Sequence, residues 1–392
     1  RYKEKILVKH FNVIKSTDRK LCWFHAASIG ELKSILPIIK KLNEKKDRFE
    51  FLVTTNTLSS SRIAEIEFKR LNNIKHRFMP FDVGHLIEKF LVMWKPERIF
   101  LVDSEIWPNL ILKAKKHNIP IALINARLTK KSYKRWFAFF NTAKKIFNIF
   151  DLCLCSNEET KKFLESFEVK NIKYFGNLKL INKINKNDFD NQNSHILSKI
   201  RFWIAASTHQ NEDVFCLKTH IELKKNFKDI ITIIAPRHLN RVRKIKSLAE
   251  KLKLKVQILK HNDLINNNSE IIIIDSFGVL NFYFKYAKSV FIGKSIAKEL
   301  RNDSGQNPID AVNFNCKIYH GPYVSNFFEI YEILKKNNIS KEINSYAELS
   351  KNLLLDLNDY RKKEDHYSNL IHNLGSEVLI CTSKSIESFL YD

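Results

Sequence analysis

The chain has 392 residues, 44% of them hydrophobic, with a formal charge of +25; this excludes chain-wide disorder and makes two folded domains the natural expectation, since one core rarely organises more than about 250–300 residues. No run of about 18 uncharged apolar residues occurs, so nothing in this chain is predicted to span a membrane by itself. The positive charge leaves nucleic acid, an anionic membrane face and phosphorylated small molecules as candidate partners, while a lysine-rich solvated surface also accounts for it, because the lysines are spread along the chain.

Glycine is scarce at 8 residues, so each one that remains is informative. The six cysteines form no CxxC pair and sit mostly in apolar runs such as DLCLCS, which reads as buried thiols in a reducing compartment. The chain opens on Arg1 and its first methionine is Met79, so a segment before Arg1 is expected.

In chain order, CWFHAA, FEFLVTT, RIFLVDS, IPIALINA and DLCLCS are short apolar runs separated by segments with apolar spacing of three and four. This alternation predicts parallel strands joined by helices. A polar stretch over 182–194, without apolar period, is read as a linker. A second series follows: FWIAAS, DIITIIAP, KVQILK, EIIIIDS, SVFIG and CKIYHG. The expected architecture is α/β, with an N-terminal Rossmann-like domain over 1–181 and a second over 195–392 that ends in closing helices across Ser345–Tyr391. Two such sheets would turn the carboxyl ends of their strands toward a shared interdomain cleft, where ligands of open α/β sheets bind.

Function should then concentrate in the loops after strands. In WFHAASIGE, Glu31 follows the first strand; Ser28 and Glu31 can form a capping box, and the same placement gives a fixed, accessible carboxylate suited to a general base. Asp103 and Glu105 follow the fourth run in LVDSEIWPNLI, with Glu105 the better placed to reach the cleft, although acids at a helix start are also simply stabilising. Lys179, in GNLK before the linker, can reach across the cleft or be a solvated lysine. In the second half, Pro236 and Arg237 follow DIITII, and an arginine there suits a phosphate or carboxylate. Phe277, Gly278 and Val279 form a strand-to-helix turn whose amides can accept an anion. In SGQNPIDA, Asn307 precedes Pro308 and Ile309, with Pro308 expected at N1 and Asp310 at N3 of a helix. The DxD string at Asp188 lies in the polar stretch with no preceding strand and is rejected as a metal site. No HExxH, GxxxxGK[ST] or GxGxxG pattern occurs, so neither a metal nor a cofactor is expected.

Taken in order, WFHAASIGE, FMPFD, LVDSEIWPNLI, NARLTKKSYKRW, FGNLK, AASTH, APRH, DSFG and GQNPIDA resemble the 3-deoxy-D-manno-octulosonic acid (Kdo) transferases, from about Trp23 to Tyr323. The resemblance implies a GT-B glycosyltransferase that moves Kdo from CMP-Kdo to a lipid A precursor, lipid IVA, at the cytoplasmic face of the inner membrane. It implies Glu31 as the base. It places Glu105 and Lys179 in motifs that stabilise the transition state, and it assigns CMP binding to Pro236, Arg237, Phe277 to Val279, and Asn307 to Asp310. A phosphorylated lipid, a nucleotide sugar and an anionic leaflet would each use the excess of Lys and Arg.

The chain departs from the family pattern in three places, the first being that the N-terminal membrane anchor the resemblance implies is expected before Arg1, not in this chain. Gly278-Val279 stands where a Gly-Glu pair is usual, which removes a carboxylate contact, and SGQNPID stands for GGHNPLE, which shortens the acid at Asp310 by one methylene. A GT-B transferase or epimerase using another nucleotide sugar is the alternative enzyme. A non-catalytic basic module binding nucleic acid would leave the strand-end acids without a role.

Overall fold

The computed structural model describes residues 19–44, 48–69, 71, 73–181, 184, 189–266, 268–301, 304–359, 363 and 366–391. Its contacts divide the chain into two units, Arg1–Asn182 with Asn373–Asp392, and Lys183–His372.

The first unit contains a parallel sheet of β1 (Lys20–His25), β2 (Phe49–Thr55), β3 (Ile74–Phe78), β4 (Arg98–Val102), β5 (Ile121–Ala126), β6 (Leu152–Cys155) and β7 (Ile172–Tyr174), in the order β3-β2-β1-β4-β5-β6-β7. The second contains β8 (Phe202–Thr208), β9 (Ile231–Pro236), β10 (Val256–Leu259), β11 (Ile271–Ile274), β12 (Ser289–Ile292), β13 (Lys317–His320) and β14 (Ser340–Glu342), in the order β10-β11-β9-β8-β12-β13-β14. The pairs are parallel, with β1 between β2 and β4, and β8 between β9 and β12. Each unit is thus Rossmann-like, and the fold is α/β of the GT-B type.

The strands that the apolar runs marked are mainly interior ones, covered on both faces and therefore written as near-continuous Val, Ile, Leu and Phe. Three strands have no such run: β3 (IKHRF), β7 (IKY) and β14 (SKE). All three are at sheet edges, where one side is wet and charged residues discourage pairing with another chain. Helices packed against the sheet complete each core. In the first unit Trp23, Phe90, Trp94, Leu101 and Phe147 are buried together, and in the second Trp203, Ile234, Ile273, Phe291 and Tyr319 are; each large apolar side chain contributes roughly 1.5–3 kcal/mol by leaving water.

Two of the expected boundaries need correction. The polar stretch 182–194 is not wholly a connector: Asn193 is buried, accepting from the Ile265 amide at 2.9 Å and donating to the Asp263 carbonyl at 2.9 Å, while Asp190 pairs with Lys285 at 2.8 Å. These contacts belong to the second unit; residues 182, 183 and 185–188, including Asp188 of the DxD string, lie outside the described residues. The second domain also does not run to 392. The helix Tyr367–Tyr391 leaves that unit at His372, and its remainder packs on the first. Arg98 donates to the Phe389 carbonyl at 3.2 Å, the Phe100 and Phe389 rings meet edge-on at 5.6 Å, and Lys173 reaches Ser385 at 3.3 Å. Cys381, on the outward side of this helix, is exposed, unlike the other five cysteines, which are buried. Among the described residues, no helix is long and apolar enough to cross a membrane.

Gly375 explains how the helix gets this close. A Cβ there would lie 2.3 Å from the Leu180 carbonyl oxygen, so the glycine is retained inside a helix despite costing roughly 0.5–1 kcal/mol relative to alanine. Gly375→Ala should therefore lower the thermal midpoint by a few degrees, because about 1–3 kcal/mol of overpacking exceeds the gain in helix propensity. A raised midpoint in a calorimetric scan would show that the helix does not press on Leu180.

Candidate active site

In the first sheet the strand order reverses between β1 and β4, and a crevice opens beyond the carboxyl ends of the strands at such a point. The loop after β1 leads into the helix Ile29–Asn43, whose N-cap is Ser28. The Ser28 hydroxyl oxygen accepts from the Glu31 amide at 3.3 Å and donates to Glu31 Oε1 at 2.7 Å, while Glu31 Oε2 accepts from the Ala27 amide at 2.8 Å. Capping and carboxylate positioning are one interaction here. Burial pushes the Glu31 carboxyl up to about 7; the Ser28 hydrogen bond opposes that rise, and the negative charges of Asp103 and Glu105 add to it. The three acids therefore share one electrostatic environment.

The loop after β4 carries the other two. Asp103 has a positive φ of 61°, a conformation Asp tolerates better than most residues, and its side chain is buried. Its Oδ1 receives Ser104 Oγ at 2.9 Å and Arg127 Nε at 3.3 Å, and its Oδ2 receives Lys179 Nζ at 3.4 Å. Lys179 thus meets an acid of its own unit. It is placed by a bulge in β5: the β5–β6 register shifts between Ile124 and Ala126, Asn125 between them has φ 53°, and its Oδ1 accepts the Leu178 amide at 2.9 Å. Glu105 is half-buried and accepts from Trp107 Nε1 at 2.8 Å, with His25 Nε2 at 3.2 Å. It does not cap the helix Pro108–Lys116. That role belongs to Asp82 of FMPFD, whose carboxylate accepts the Asn109 and Leu110 amides at 3.0 and 2.9 Å.

In the second unit the order reverses between β8 and β12. A buried carboxylate ties the two strand ends together: Glu212 Oε2 accepts from the His209 and Lys294 amides at 2.8 and 2.7 Å, and Oε1 from the Ser295 and Ile296 amides at 2.8 and 3.1 Å. Gly293 permits this approach, since a Cβ there would stand 2.6 Å from the Ser207 carbonyl oxygen. Beside it, Asp213 is buried, accepts from Thr208 Oγ1 at 3.0 Å and pairs with Arg241, which also donates to the Thr208 carbonyl at 3.1 Å. Cations gather around this end. His209 is held down to about 4 by burial and then by the positive charges of Lys294, His238, Arg241 and Arg237.

The segments singled out in this half lie at the carboxyl ends of strands on both sides of β8: Phe277 to Val279 after β11, Pro236 at the end of β9 with Arg237 next to it, and Asn307 to Asp310 after β12. Arg237 is exposed and its amide donates to the Thr208 carbonyl at 3.0 Å. Phe277 is 67% exposed and Gly278 has φ 80°. Pro236, Pro308 and Ile309 are buried, so Asn307 and Asp310 are the partly exposed side chains of their segment. The helix there is Ile309–Asn313 with Pro308 as N-cap, which corrects the expectation of Pro308 at N1 and Asp310 at N3. Asp310 is N2, because Asn307 Oδ1 takes the Ile309 amide at 3.2 Å and the helix starts one residue later. Among the described residues no group of three or more His, Cys, Asp or Glu is arranged to hold a metal ion.

Sequence reasoning missed His25, Asp82, Glu212, Asp213, Gly293 and Arg241. Glu212, three residues after AASTH, Gly293, one of few glycines, and Asp82, which closes FMPFD, carried usable signals. Arg241 carried none, since its partners are distant in sequence.

A family model described as 3-Deoxy-D-manno-octulosonic-acid transferase (kdotransferase) matches residues 1–182. The chain is 30% identical over 361 residues to the 3-deoxy-D-manno-octulosonic acid transferase of Rickettsia conorii, covering 88% of this chain and 75% of that one. It is 28% identical over 370 residues to the same-named protein of Rickettsia typhi, covering 93% and 78%. The crystal structure of a putative UDP-N-acetylglucosamine 2-epimerase from Listeria monocytogenes matches with TM-score 0.63 over 94% of this chain and 97% of that one at 14% identity, a likeness of fold alone. With a Rickettsia conorii relative 30% identical over 88% of its length, the chain belongs to the Kdo transferases, glycosyltransferases that transfer Kdo in lipopolysaccharide biosynthesis.

Proposed function

We propose that the chain transfers Kdo from CMP-Kdo to a lipid A precursor, lipid IVA, by an inverting single displacement in which Glu31 is the general base. The observation that carries this reading is the Glu31 carboxyl itself, held by Ser28 and the Ala27 amide at the strand-order reversal and raised to about 7. A base works best when its pKa lies near the operating pH. Glu31 takes the proton of the acceptor hydroxyl as that oxygen bonds to the anomeric carbon of Kdo; the bond from that carbon to the phosphate oxygen breaks, and CMP leaves as an anion. Positive charge develops on the sugar during this step. Glu105 stabilises that charge, while Lys179, anchored on Asp103, pairs with the carboxylate of the sugar acid and orients it.

The second unit supplies the nucleotide site in this reading. Arg237, together with the cations around His209, stabilises the leaving phosphate, and preorganised charges of this kind need no rearrangement during reaction. Gly278 and its neighbours Phe277 and Val279 contribute amides and an exposed ring, with no carboxylate at Val279. Pro236, Pro308 and Ile309 set the backbone, while Asn307 and Asp310 face the ribose. The charge of +25 suits a phosphorylated lipid presented from the anionic cytoplasmic leaflet of the inner membrane.

Incubation with CMP-Kdo and a lipid A precursor should add the mass of Kdo to the lipid in mass spectrometry; an unchanged lipid, with UDP rather than CMP bound in calorimetry, would favour a different nucleotide sugar. Glu31→Gln should cut turnover by about 10²–10⁴-fold while CMP affinity stays the same, and full turnover in that variant would remove Glu31 as the base. In the unsubstituted enzyme the rate should climb as pH rises through about 7.

The same group affects stability with a definite sign. Its folded value of about 7 lies above the ordinary 4.5, so the fold favours the protonated form, and that contribution is fully present below 4.5 and lost as pH rises to 7. The melting temperature of the unsubstituted protein, relative to Glu31→Gln, should therefore be lower at pH 8 than at pH 4.5; a pH-independent difference would contradict the raised value. Arg237→Ala should weaken CMP binding by about 1.5–3 kcal/mol in calorimetry, and unchanged affinity would count against its phosphate contact.

A further inference from the structure

His25, the last residue of β1, is fully buried, and nothing in the proposed chemistry uses it. Its Nδ1 lies 2.9 Å from Thr54 Oγ1 on β2, and that oxygen in turn accepts from Trp23 Nε1 at 2.9 Å. Its Nε2 lies 3.2 Å from Glu105 Oε2. The same oxygen accepts from Trp107 Nε1 at 2.8 Å, and the His25 and Trp107 rings stand edge-on with centroids 5.9 Å apart. These five side chains form a continuous hydrogen-bonded line from the interior of the sheet to the crevice.

Nδ1 lies between two oxygens of Thr54, Oγ1 at 2.9 Å and the carbonyl at 3.2 Å. A carboxylate only accepts, so in the bond to Glu105 the donor is Nε2–H. Both donors converge on Oε2, and Glu105 has no further hydrogen bond among the described residues, which leaves Oε1 for the reacting groups. A flexible glutamate has several rotamers; two convergent donors, one of them in a fully buried ring, select one of them before substrate arrives.

We infer that His25 is a positioning residue for the transfer reaction, which fixes the orientation of Glu105 through Nε2 and is itself held by Thr54 and Trp23. It touches neither donor nor acceptor. The inference rests on the proposed role of Glu105 in stabilising the transition state. Misplacement of a catalytic group by about 1 Å can cost on the order of 10²-fold in rate, so the loss should appear in kcat and leave KM for the lipid acceptor nearly unchanged.

A double-mutant cycle with steady-state Kdo transfer tests it. His25→Phe should lower kcat by roughly 10–100-fold, and His25→Gln, which keeps an N–H that can reach the Nε2 position, should recover most of that loss. In a Glu105→Gln background, His25→Phe should cause little further loss. An equal loss in both backgrounds, or no recovery with His25→Gln at a matched melting temperature, would overturn the inference and make His25 a packing residue. Unimpaired turnover of Glu105→Gln alone would instead overturn the role of Glu105, and the positioning role would fall with it.

Discussion

Two parallel strands that are neighbours in a sheet can be joined only by a crossover, and crossovers in these sheets keep one hand. When the order of winding reverses, as it does between β1 and β4 and again between β8 and β12, successive crossovers lead away from each other to opposite faces of the sheet. The loops at the carboxyl ends must then part, and polar groups there face a crevice in place of packed apolar side chains. The chemistry of both units follows from this constraint. Glu31 and Glu105 flank the first reversal; Glu212, His209 and Lys294 gather at the second.

The two crevices are built with opposite electrostatics. In the first unit three acids lie close enough for their charges to act on one another, and Arg127 and Lys179 bind Asp103 and so relieve part of the repulsion. In the second unit the acids are spent internally: Glu212 holds four backbone amides, and Asp213 is occupied by Arg241 and Thr208. Buried carboxylates satisfied in this way act as structural fasteners. Positive charges act on His209 at that end of the second unit, whereas negative charges act on Glu31 in the first.

Short-range patterns made much of this legible. SIGE contains its own cap, since both partners lie within one turn, and the apolar interior strands announce themselves because both faces are covered. The edge strands β3, β7 and β14 did not, because a half-wet strand of three to five residues has no distinctive composition. The start of the helix Ile309–Asn313 was misread by one residue because Asn307 takes the Ile309 amide, a local hydrogen bond that competes with the helical start expected after a proline.

What the sequence determined by itself was the alternation of strand and helix, the doubling of that pattern, and the placement of acids and cations immediately after particular strands. These features depend on residues near one another in the chain, where spacing and composition carry the information. Tertiary structure decided which strand ends are adjacent and what each polar group does there. Asp82 rather than Glu105 caps the helix Pro108–Lys116, Lys179 meets Asp103 in its own unit, His25 meets Glu105, and the C-terminal helix returns to the first unit through Gly375. Such pairings join residues brought together by the order of strands in a sheet, and a linear pattern does not contain that order.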